Sequence, residues 1–97
     1  MRGAVEFEWD ENKAIANLRK HRVDFVDAVC VFRDIGATHV LDDTMDYGED
    51  RFKATGLVNN QVLVVIYVER SDRIRLISAR KATRREEIDH LRERWPG

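Results

Sequence analysis

Cysteine and histidine are scarce in this 97-residue chain, and their spacing excludes two classes of site. Cys30, the single cysteine, has no partner for a disulfide within the chain, which is typical of proteins in a reducing compartment. A lone cysteine also excludes a cysteine-rich zinc site. The three histidines, His21, His39 and His90, show neither HExxH nor HxxxH spacing. We therefore predict no metal site.

The sequence also has no long apolar run and no glycine-rich nucleotide loop. Its longest apolar segment, VLVVIYV at 62–68, has the length of a strand, whereas roughly 20 apolar residues are needed to cross a bilayer. The N-terminal segment turns acidic at once and lacks the apolar core of a secretory signal. With no GxGxxG and no P-loop, we predict no cofactor. The composition, 43% hydrophobic and 36% charged, predicts one globular, cytoplasmic domain over residues 1–97 that has no membrane contact.

The formal net charge of −1 conceals two segments of opposite charge. Between residues 42 and 50 there are five acidic residues and no basic one. Between residues 70 and 85, Asp72 is the single acidic residue beside seven basic ones. The net charge therefore says little about the local electric field. The acidic segment lacks the DxDxDG spacing of a calcium loop, so we interpret it as an internal counter-charge rather than a metal or docking site.

Two consecutive helices are predicted after a short alternating strand at 5–9. The first covers 11–21 and begins after a capping residue, Asp10. Its apolar positions on one face are Ala14, Ile15 and Leu18. The second begins after Asp24, and its apolar stripe consists of Phe25, Ala28, Val29 and Phe32. Because only two residues, 22–23, separate these helices, we expect a tight helical hairpin on one face of a sheet.

The remainder of the chain predicts an antiparallel meander followed by a C-terminal helix. Strands are predicted at 38–42, 51–58, 61–70 and 73–80. Asn59-Asn60 and Ser71-Asp72 supply two-residue turns, since asparagine tolerates positive φ. The segment 61–70 is apolar on both faces, which predicts a central strand. Thr83 and Glu86 match a capping box at the start of the last helix. The fold class is therefore α+β.

Alternation along two of these strands gives one face of the sheet a cationic character. The cations on that face are Arg51, Lys53, Arg73 and Arg75. If the helices cover the other face, these side chains are presented on an open surface, where guanidinium groups can bind phosphate oxygens bidentately. The alternative is a solvated face whose arginines pair with the acidic segment. Both interpretations remain open at this point.

Lys20 and His21 end the first predicted helix, and their position there can be interpreted in two ways. A histidine can act as a general acid or base at neutral pH. Cations at a helix C-terminus are also favourable for electrostatic reasons alone. Elsewhere, His90 is interpreted as structural or exposed, and Tyr67 as core.

Several segments, in the same order along the chain, resemble the BrnT family of bacterial type II toxins. They are FEWDENKAIANLRKH, VDFVDAV, DYGEDRF, VLVVIYVER and RIRLISARKATRREE, which span roughly residues 7–88. The resemblance implies a RelE-like fold and a small ribonuclease that arrests translation. Arg22 is a departure, because the family usually has glycine after the lysine–histidine pair. Glycine there would supply a positive-φ exit from the helix.

The resemblance implies a metal-independent endoribonuclease in which the 2′-OH of the RNA is the nucleophile. That reaction needs a base for the hydroxyl, cations for the phosphate and an acid for the leaving 5′-oxygen. The residues predicted to bind phosphate in the reaction are Arg51, Arg75 and Arg80, and those predicted to transfer protons are Lys20 or His21. The residues predicted to contact RNA are Lys53, Arg70, Arg73 and Lys81. Strict alternation places Arg80 on the face opposite Arg75, unless the strand ends or bulges first.

The resemblance also implies a protein partner. This is a BrnA-like antitoxin whose ribbon-helix-helix part binds operator DNA, so the toxin meets that DNA only through the antitoxin. A heterotetramer with two toxins is expected. The alternative function is a catalytically inactive module that acts as antitoxin partner or corepressor. Sequence-specific DNA binding by the chain alone is weakened by the lack of a helix-turn-helix or basic-region pattern.

Overall fold

A five-stranded mixed sheet forms the centre of the computed structural model, which describes residues 5–42 and 48–95. In the order β1-β5-β4-β3-β2, the strands are β1 (Glu6–Glu8), β2 (Thr38–Asp42), β3 (Arg51–Val58), β4 (Gln61–Arg70) and β5 (Arg73–Lys81). The helices are α1 (Glu11–His21), α2 (Phe25–Ala28), a 3₁₀ helix (Val29–Arg33) and α3 (Arg84–Arg94). No helix in the described part of the chain is both long and apolar enough to cross a membrane.

The strand predictions are confirmed almost residue for residue, including the central place of β4. Asn59 and Asn60 both have positive φ, 49° and 65°, as a two-residue hairpin turn requires. The predicted antiparallel meander is confirmed for β2 to β5, but the sheet as a whole is mixed rather than antiparallel, because β1 pairs with β5 in parallel. No hairpin joins these two strands, so no turn constrains their relative direction. Positions 43–47 of the predicted acidic segment lie outside the described residues.

The hydrophobic core lies on one face of the sheet, beneath α1, α2 and the 3₁₀ helix. Its fully buried members include Phe25, Val31, Val65 and Leu76. The second helix of the predicted hairpin has one α-helical turn and then continues as a 3₁₀ helix. A 3₁₀ helix repeats every three residues, so Val31 continues the three-residue spacing of Phe25 and Ala28 from the α-helical turn. All three side chains lie on the buried side, with no exposed surface. The predicted positions Val29 and Phe32 are only half-buried.

The face of α1 that packs on the sheet includes only one of the three predicted apolar residues, Ala14. Ile15 and Leu18 remain 47% and 45% exposed, and the buried residue is Asn17. The Asn17 amide donates to the carbonyl oxygens of Ala79 and Val23, at 2.8 and 3.0 Å, and its oxygen accepts from the Ala79 N–H at 3.0 Å. Because β1 pairs only with Arg73–Arg75, Asn17 occupies the place a neighbouring strand would take beside Ala79. A buried amide with three such bonds stabilises the α1–β5 contact.

Arg22 ends α1 in the left-handed conformation, with φ 61° and ψ 28°. Its N–H donates to the Leu18 carbonyl at 2.9 Å, as in a C-terminal cap that usually contains glycine. A non-glycine residue in this conformation costs about 1–2 kcal/mol. Glycine would remove that cost, but part of the gain would be offset because glycine increases the conformational entropy of the unfolded chain.

We expect Arg22→Gly to raise the free energy of unfolding by about 0.5 kcal/mol, as measured by urea denaturation. Arg19→Gly is the matched control, because Arg19 lies within the right-handed part of α1. That control should lower the free energy of unfolding by about 1 kcal/mol. An Arg22→Gly protein that is less stable than the wild type would contradict this account of the helix exit.

The C-terminal helix α3 lies over the second face of the sheet, opposite the core. Its predicted capping box is confirmed: Glu86 N–H donates to Thr83 Oγ1 at 3.2 Å, and Thr83 N–H donates to Glu86 Oε1 at 2.8 Å. The inward stripe of α3 is polar, with Glu86, His90 and Arg94 at intervals of four residues. The expected open face of the sheet is therefore partly covered, by a helix held mainly through charged contacts at its two ends.

Candidate active site

The sheet face that α3 partly covers also carries most of the predicted RNA-contacting cations. Strand register and alternation place six of them there: Arg51, Lys53, Arg70, Arg73, Arg75 and Arg80. We call this surface the arginine face. The prediction that Arg51, Lys53, Arg73 and Arg75 share a face is confirmed by the register.

Arg80 joins the arginine face because β5 contains a bulge. Ile66 pairs with Ser78, but the next residue of β4, Tyr67, pairs with Leu76, so Ile77 is an extra residue in β5. One extra residue reverses the alternation beyond it. Strict alternation would have placed Arg80 on the core face; the bulge instead aligns it with Arg73 and Arg75.

Arg51 and Arg75 flank one buried valine near one end of the arginine face. The register pairs Val68 with Arg75 and places Arg51 on the other side of Val68. Two strand spacings separate the two arginine backbones by about 10 Å, a gap that their long side chains can bridge toward one anion. Arg80 lies two side-chain rows further along the sheet, beside α3, with Lys53 in the row between.

Carboxylates of β1 neutralise two of these arginines. Glu8 accepts hydrogen bonds from Arg73 at 3.2 Å and from Arg75 at 3.1 Å. These bonds lower the pKa of Glu8 below its usual value. Arg70 pairs instead with Glu49, at 3.3 Å. The counter-charges of Arg73 and Arg75 thus come from β1, and that of Arg70 comes from the acidic segment.

Arg80 makes a two-pronged contact with α3. Its Nη1 and Nη2 donate to the two carboxylate oxygens of Glu86, at 2.7 and 3.0 Å. The hydrogen bonds from Arg80, and the smaller contribution of the Thr83 N–H, hold the pKa of Glu86 at about 2, although burial acts in the opposite direction. The guanidinium fork of Arg80 is therefore already shaped for a planar or tetrahedral anion.

The depressed pKa of Glu86 predicts a loss of stability in acid. A carboxylate whose pKa falls on folding stabilises the native state above its ordinary value of 4.5, and this contribution is lost as the pH falls toward 2. We expect the free energy of unfolding, measured by urea denaturation, to fall between these pH values. The fall should be smaller in Glu86→Gln. An equally steep fall in Glu86→Gln would contradict this assignment; some slope will remain, since Arg94 also lowers the pKa of Asp34.

Three predicted residues lie away from the arginine face. Lys20 and His21 end α1, which packs on the core side of the sheet. Lys81 is the last residue of β5, and its register with Leu63 places it on the core side as well, exposed at the strand end. The structure therefore brings the predicted phosphate-binding residues onto one surface, but it does not place the predicted proton-transfer residues beside them.

The two remaining histidines have different environments. His39 is exposed on the core side, where its Nδ1 lies 2.9 Å from the Tyr67 hydroxyl, and burial raises the pKa of that hydroxyl. His90 is only 4% exposed and lies on the inward stripe of α3, over the arginine face. In the sequence, the four-residue spacing of Glu86, His90 and Arg94 indicates that the three side chains share one face of the helix, which is the face that turns out to lie against the sheet.

A polar pocket of about 190 Å³ lies between α3 and the strands β2 and β3. Its lining residues are Thr38, Val40, Lys53, Thr55, Glu86, Asp89, His90 and Glu93. Within residues 5–42 and 48–95, no group of three or more histidine, cysteine or acidic side chains is arranged to hold a metal ion. The arrangement offers cations for a phosphodiester, and it offers hydrogen-bonding groups for a neighbouring part of the same ligand.

Comparison with known families agrees with this chemistry. Residues 9–86, about four fifths of the chain, match the family model described as "Ribonuclease toxin, BrnT, of type II toxin-antitoxin system". The matched region extends from Trp9, directly after β1, to the first turn of α3 and includes all six cations of the arginine face. No curated protein matches the chain significantly.

Proposed function

Since the chain belongs to the BrnT family of ribonuclease toxins of type II toxin–antitoxin systems, we propose that it cleaves RNA without a metal ion, on its arginine face, and thereby inhibits translation. Membership of the family makes the chain a ribonuclease toxin with an RNA substrate and a protein antitoxin. The catalytically inactive binding module is accordingly not the favoured function. The proposal concerns how and where the RNA is cut.

The observation that supports the proposal is the convergence of six cations on one sheet face, one of them through a strand bulge. In the reaction, the 2′-oxygen attacks the adjacent phosphorus and the bond to the 5′-oxygen breaks. Negative charge develops on the phosphate oxygens, and preorganised guanidinium groups stabilise it. Arg51, Arg75 and Arg80 would supply those groups. Lys53, Arg70, Arg73 and Lys81 would bind the neighbouring RNA backbone.

The carboxylates on the arginine face do not prevent this role. Glu8 and Glu86 hold the side chains of Arg75 and Arg80 in place while no RNA is bound. A guanidinium fork can bind two oxygens of a phosphodiester much as it binds the two oxygens of a carboxylate. RNA would then replace these intramolecular partners, and its polyanionic backbone would compete through several contacts at once.

Lys20 and His21 remain the proposed proton-transfer groups from the family resemblance. They lie at the end of α1, on the core side of the sheet, so the RNA would have to extend around the β5 edge to reach them. Replacing each by alanine, and measuring cleavage of the same oligoribonucleotide, tests that role independently of the arginines.

The finer features of the toxin follow the family resemblance. The proposed fold is RelE-like, the proposed location is the cytoplasm, and the proposed antitoxin is BrnA-like with a ribbon-helix-helix part. Two toxins would assemble on one antitoxin dimer, and operator DNA would be bound by the antitoxin. Size-exclusion chromatography with light scattering on the co-expressed pair tests the stoichiometry.

The experiment for the proposed function is incubation of the purified protein with total cellular RNA in EDTA. We expect cleavage by the wild type, cleavage by Arg84→Ala, and little or none by Arg75→Ala. Arg84 is the matched control because it is exposed at the start of α3 and makes no ion pair with the described residues. Intact RNA after incubation with folded wild type would overturn the proposal and favour the binding module.

A further inference from the structure

The pocket beneath α3 is continuous with the phosphate-binding part of the arginine face. Lys53 contributes to both: it lines the pocket, and it lies on the same strand and face as Arg51. Glu86 connects the pocket to Arg80 through the two-pronged ion pair. A nucleotide whose phosphate is held by these arginines would therefore place its sugar or base near the pocket.

His90 is the unexplained group in this pocket. Its side chain is 96% buried, and its Nε2 has no hydrogen-bond partner among the described residues. A buried polar atom left unsatisfied costs about 1–3 kcal/mol, so a histidine with a purely structural role would be expected to find a partner. Its neighbours on the stripe, Glu86 and Arg94, are both fully engaged in ion pairs. The imidazole thus lies between two ion-paired side chains, and its unpartnered Nε2 is itself enclosed. A ligand reaches this nitrogen when the side chains over the pocket shift.

No other histidine of the described residues lies on the arginine face. His21 ends α1 on the core side, and His39 is hydrogen-bonded to Tyr67 on that side too. An imidazole can take up and release a proton near neutral pH, which is the property that cleavage by a ribose hydroxyl requires. Among the histidines, His90 is therefore the one that lies on the same surface as the phosphate-binding cations.

We propose that the pocket beneath α3 receives the ribose at the scissile position and that His90 Nε2 accepts the proton of its 2′-OH. The assignment rests on the proposed cleavage of RNA at the arginine face, and it competes with Lys20 and His21 for the proton-transfer role. The 2′-oxygen then forms a bond to phosphorus while the bond from phosphorus to the 5′-oxygen breaks. Lys53, which lines the same pocket, gives a proton to the departing 5′-oxygen. The products are a 2′,3′-cyclic phosphate and a 5′-hydroxyl, and water exchanges the protons of His90 and Lys53 afterwards.

The charged groups around the imidazole come from β3, β5 and α3. They are Lys53 on β3, Glu86, Asp89, Glu93 and Arg94 on α3, and, through Glu86, Arg80 on β5. Two of the carboxylates are paired, Glu86 with Arg80 and Asp89 with Arg85. Glu93 makes no ion pair within the described residues, so its charge acts on the pocket directly. A free phosphate would be repelled by these carboxylates, whereas a neutral ribose would not.

The test compares wild type with His90→Gln on a short oligoribonucleotide across pH 5–9. Glutamine keeps a polar side chain of similar reach but cannot transfer a proton. We expect kcat to fall by about 10²–10⁴-fold with little change in KM, and the rise in rate with pH near neutrality to disappear. Imidazole added to His90→Ala should restore part of the rate. His39→Gln is the matched control and should behave as the wild type.

A second measurement uses an oligonucleotide with 2′-deoxyribose at the scissile position, which binds but cannot be cut. We expect it to shift the NMR signals of the His90 ring and to leave those of His39 unchanged. Unaffected His90 signals, or a His90→Gln protein that cuts with the wild-type rate and pH profile, would overturn the assignment alone. The same holds if His21→Gln, rather than His90→Gln, removes the pH dependence. An inactive wild type would instead overturn the proposed function together with it.

Discussion

Replacing Asp34 by Asn is expected to lower the free energy of unfolding by about 3–5 kcal/mol. Asp34 follows the 3₁₀ helix, and its side chain is 7% exposed. Arg94 of α3 donates to both of its carboxylate oxygens, at 2.8 and 2.5 Å, and the backbone N–H groups of Leu57 and Gly36 donate at 2.7 and 3.1 Å. Asparagine would present an amide to Arg94 and leave a largely buried guanidinium without its counter-charge. The loss is a large part of the stability of a domain this size.

Thermal denaturation gives a direct readout for Asp34→Asn. For a domain of this length, each kcal/mol corresponds to about 4–8 °C in Tm. Asp27→Asn is the matched control, because Asp27 is exposed in α2 and should change the stability by less than about 0.5 kcal/mol. In the double variant with Arg94→Met, the cost should be well below the sum of the two single costs, because neither charge is left buried alone. Additive costs would show that the ion pair is not the source of the effect.

Replacing Arg80 by Ala is expected to lower kcat/KM for RNA cleavage by about 10²–10³-fold, the usual loss when one preorganised donor to a developing oxyanion is removed. Arg80→Lys should recover only part of this loss, since an ammonium cannot bind two phosphate oxygens in one plane as a guanidinium does. Measurement of cleavage rates at several oligoribonucleotide concentrations separates kcat from KM.

The Arg80 variants require a control for the fold, because Arg80 also binds Glu86 of α3. Urea denaturation of each variant establishes whether the helix remains docked, and Arg84→Ala should keep the wild-type kcat/KM within about twofold. If folded Arg80→Ala cuts RNA at a rate close to that of the wild type, the phosphate-binding role of Arg80 is wrong. An increase in KM with an unchanged kcat would indicate that Arg80 binds the substrate without stabilising the transition state any further.

The strands and turns could be predicted from sequence because local patterns determine them. Alternation in β3 and β5, the apolar run of β4 and the two asparagines of the hairpin each occur within a few adjacent residues. The parallel pairing of β1 with β5 could not be predicted in this way, since it joins segments more than 60 residues apart that no turn connects. The same is true of the ion pair between Asp34 and Arg94.

The candidate site was predictable in its cations but not in its geometry. The face on which Arg80 lies depends on a single extra residue, Ile77, and no residue of β5 is a glycine or proline that would mark a bulge. His90 was interpreted as structural or exposed, and the sequence alone did not separate the two, because its burial depends on tertiary contacts such as the ion pairs at either end of α3. On α1, the apolar residues Ile15 and Leu18 misled, because the polar side chain of Asn17 packs beside Ala14 instead.

The bonds between Asn17 and Ala79 have a consequence for how the folded protein avoids self-association. β1 is only three residues long, so the backbone of β5 beyond Arg75 would otherwise present unpaired donors and acceptors at the rim of the sheet. Such a rim is a template on which a strand from another molecule can add. One side-chain amide, that of Asn17, bonds both the N–H and the C=O of Ala79. At this residue the edge of β5 is therefore paired, although no further strand lies beside it. A protein without the Asn17 amide should therefore aggregate in concentrated solution under conditions in which the sheet is still folded.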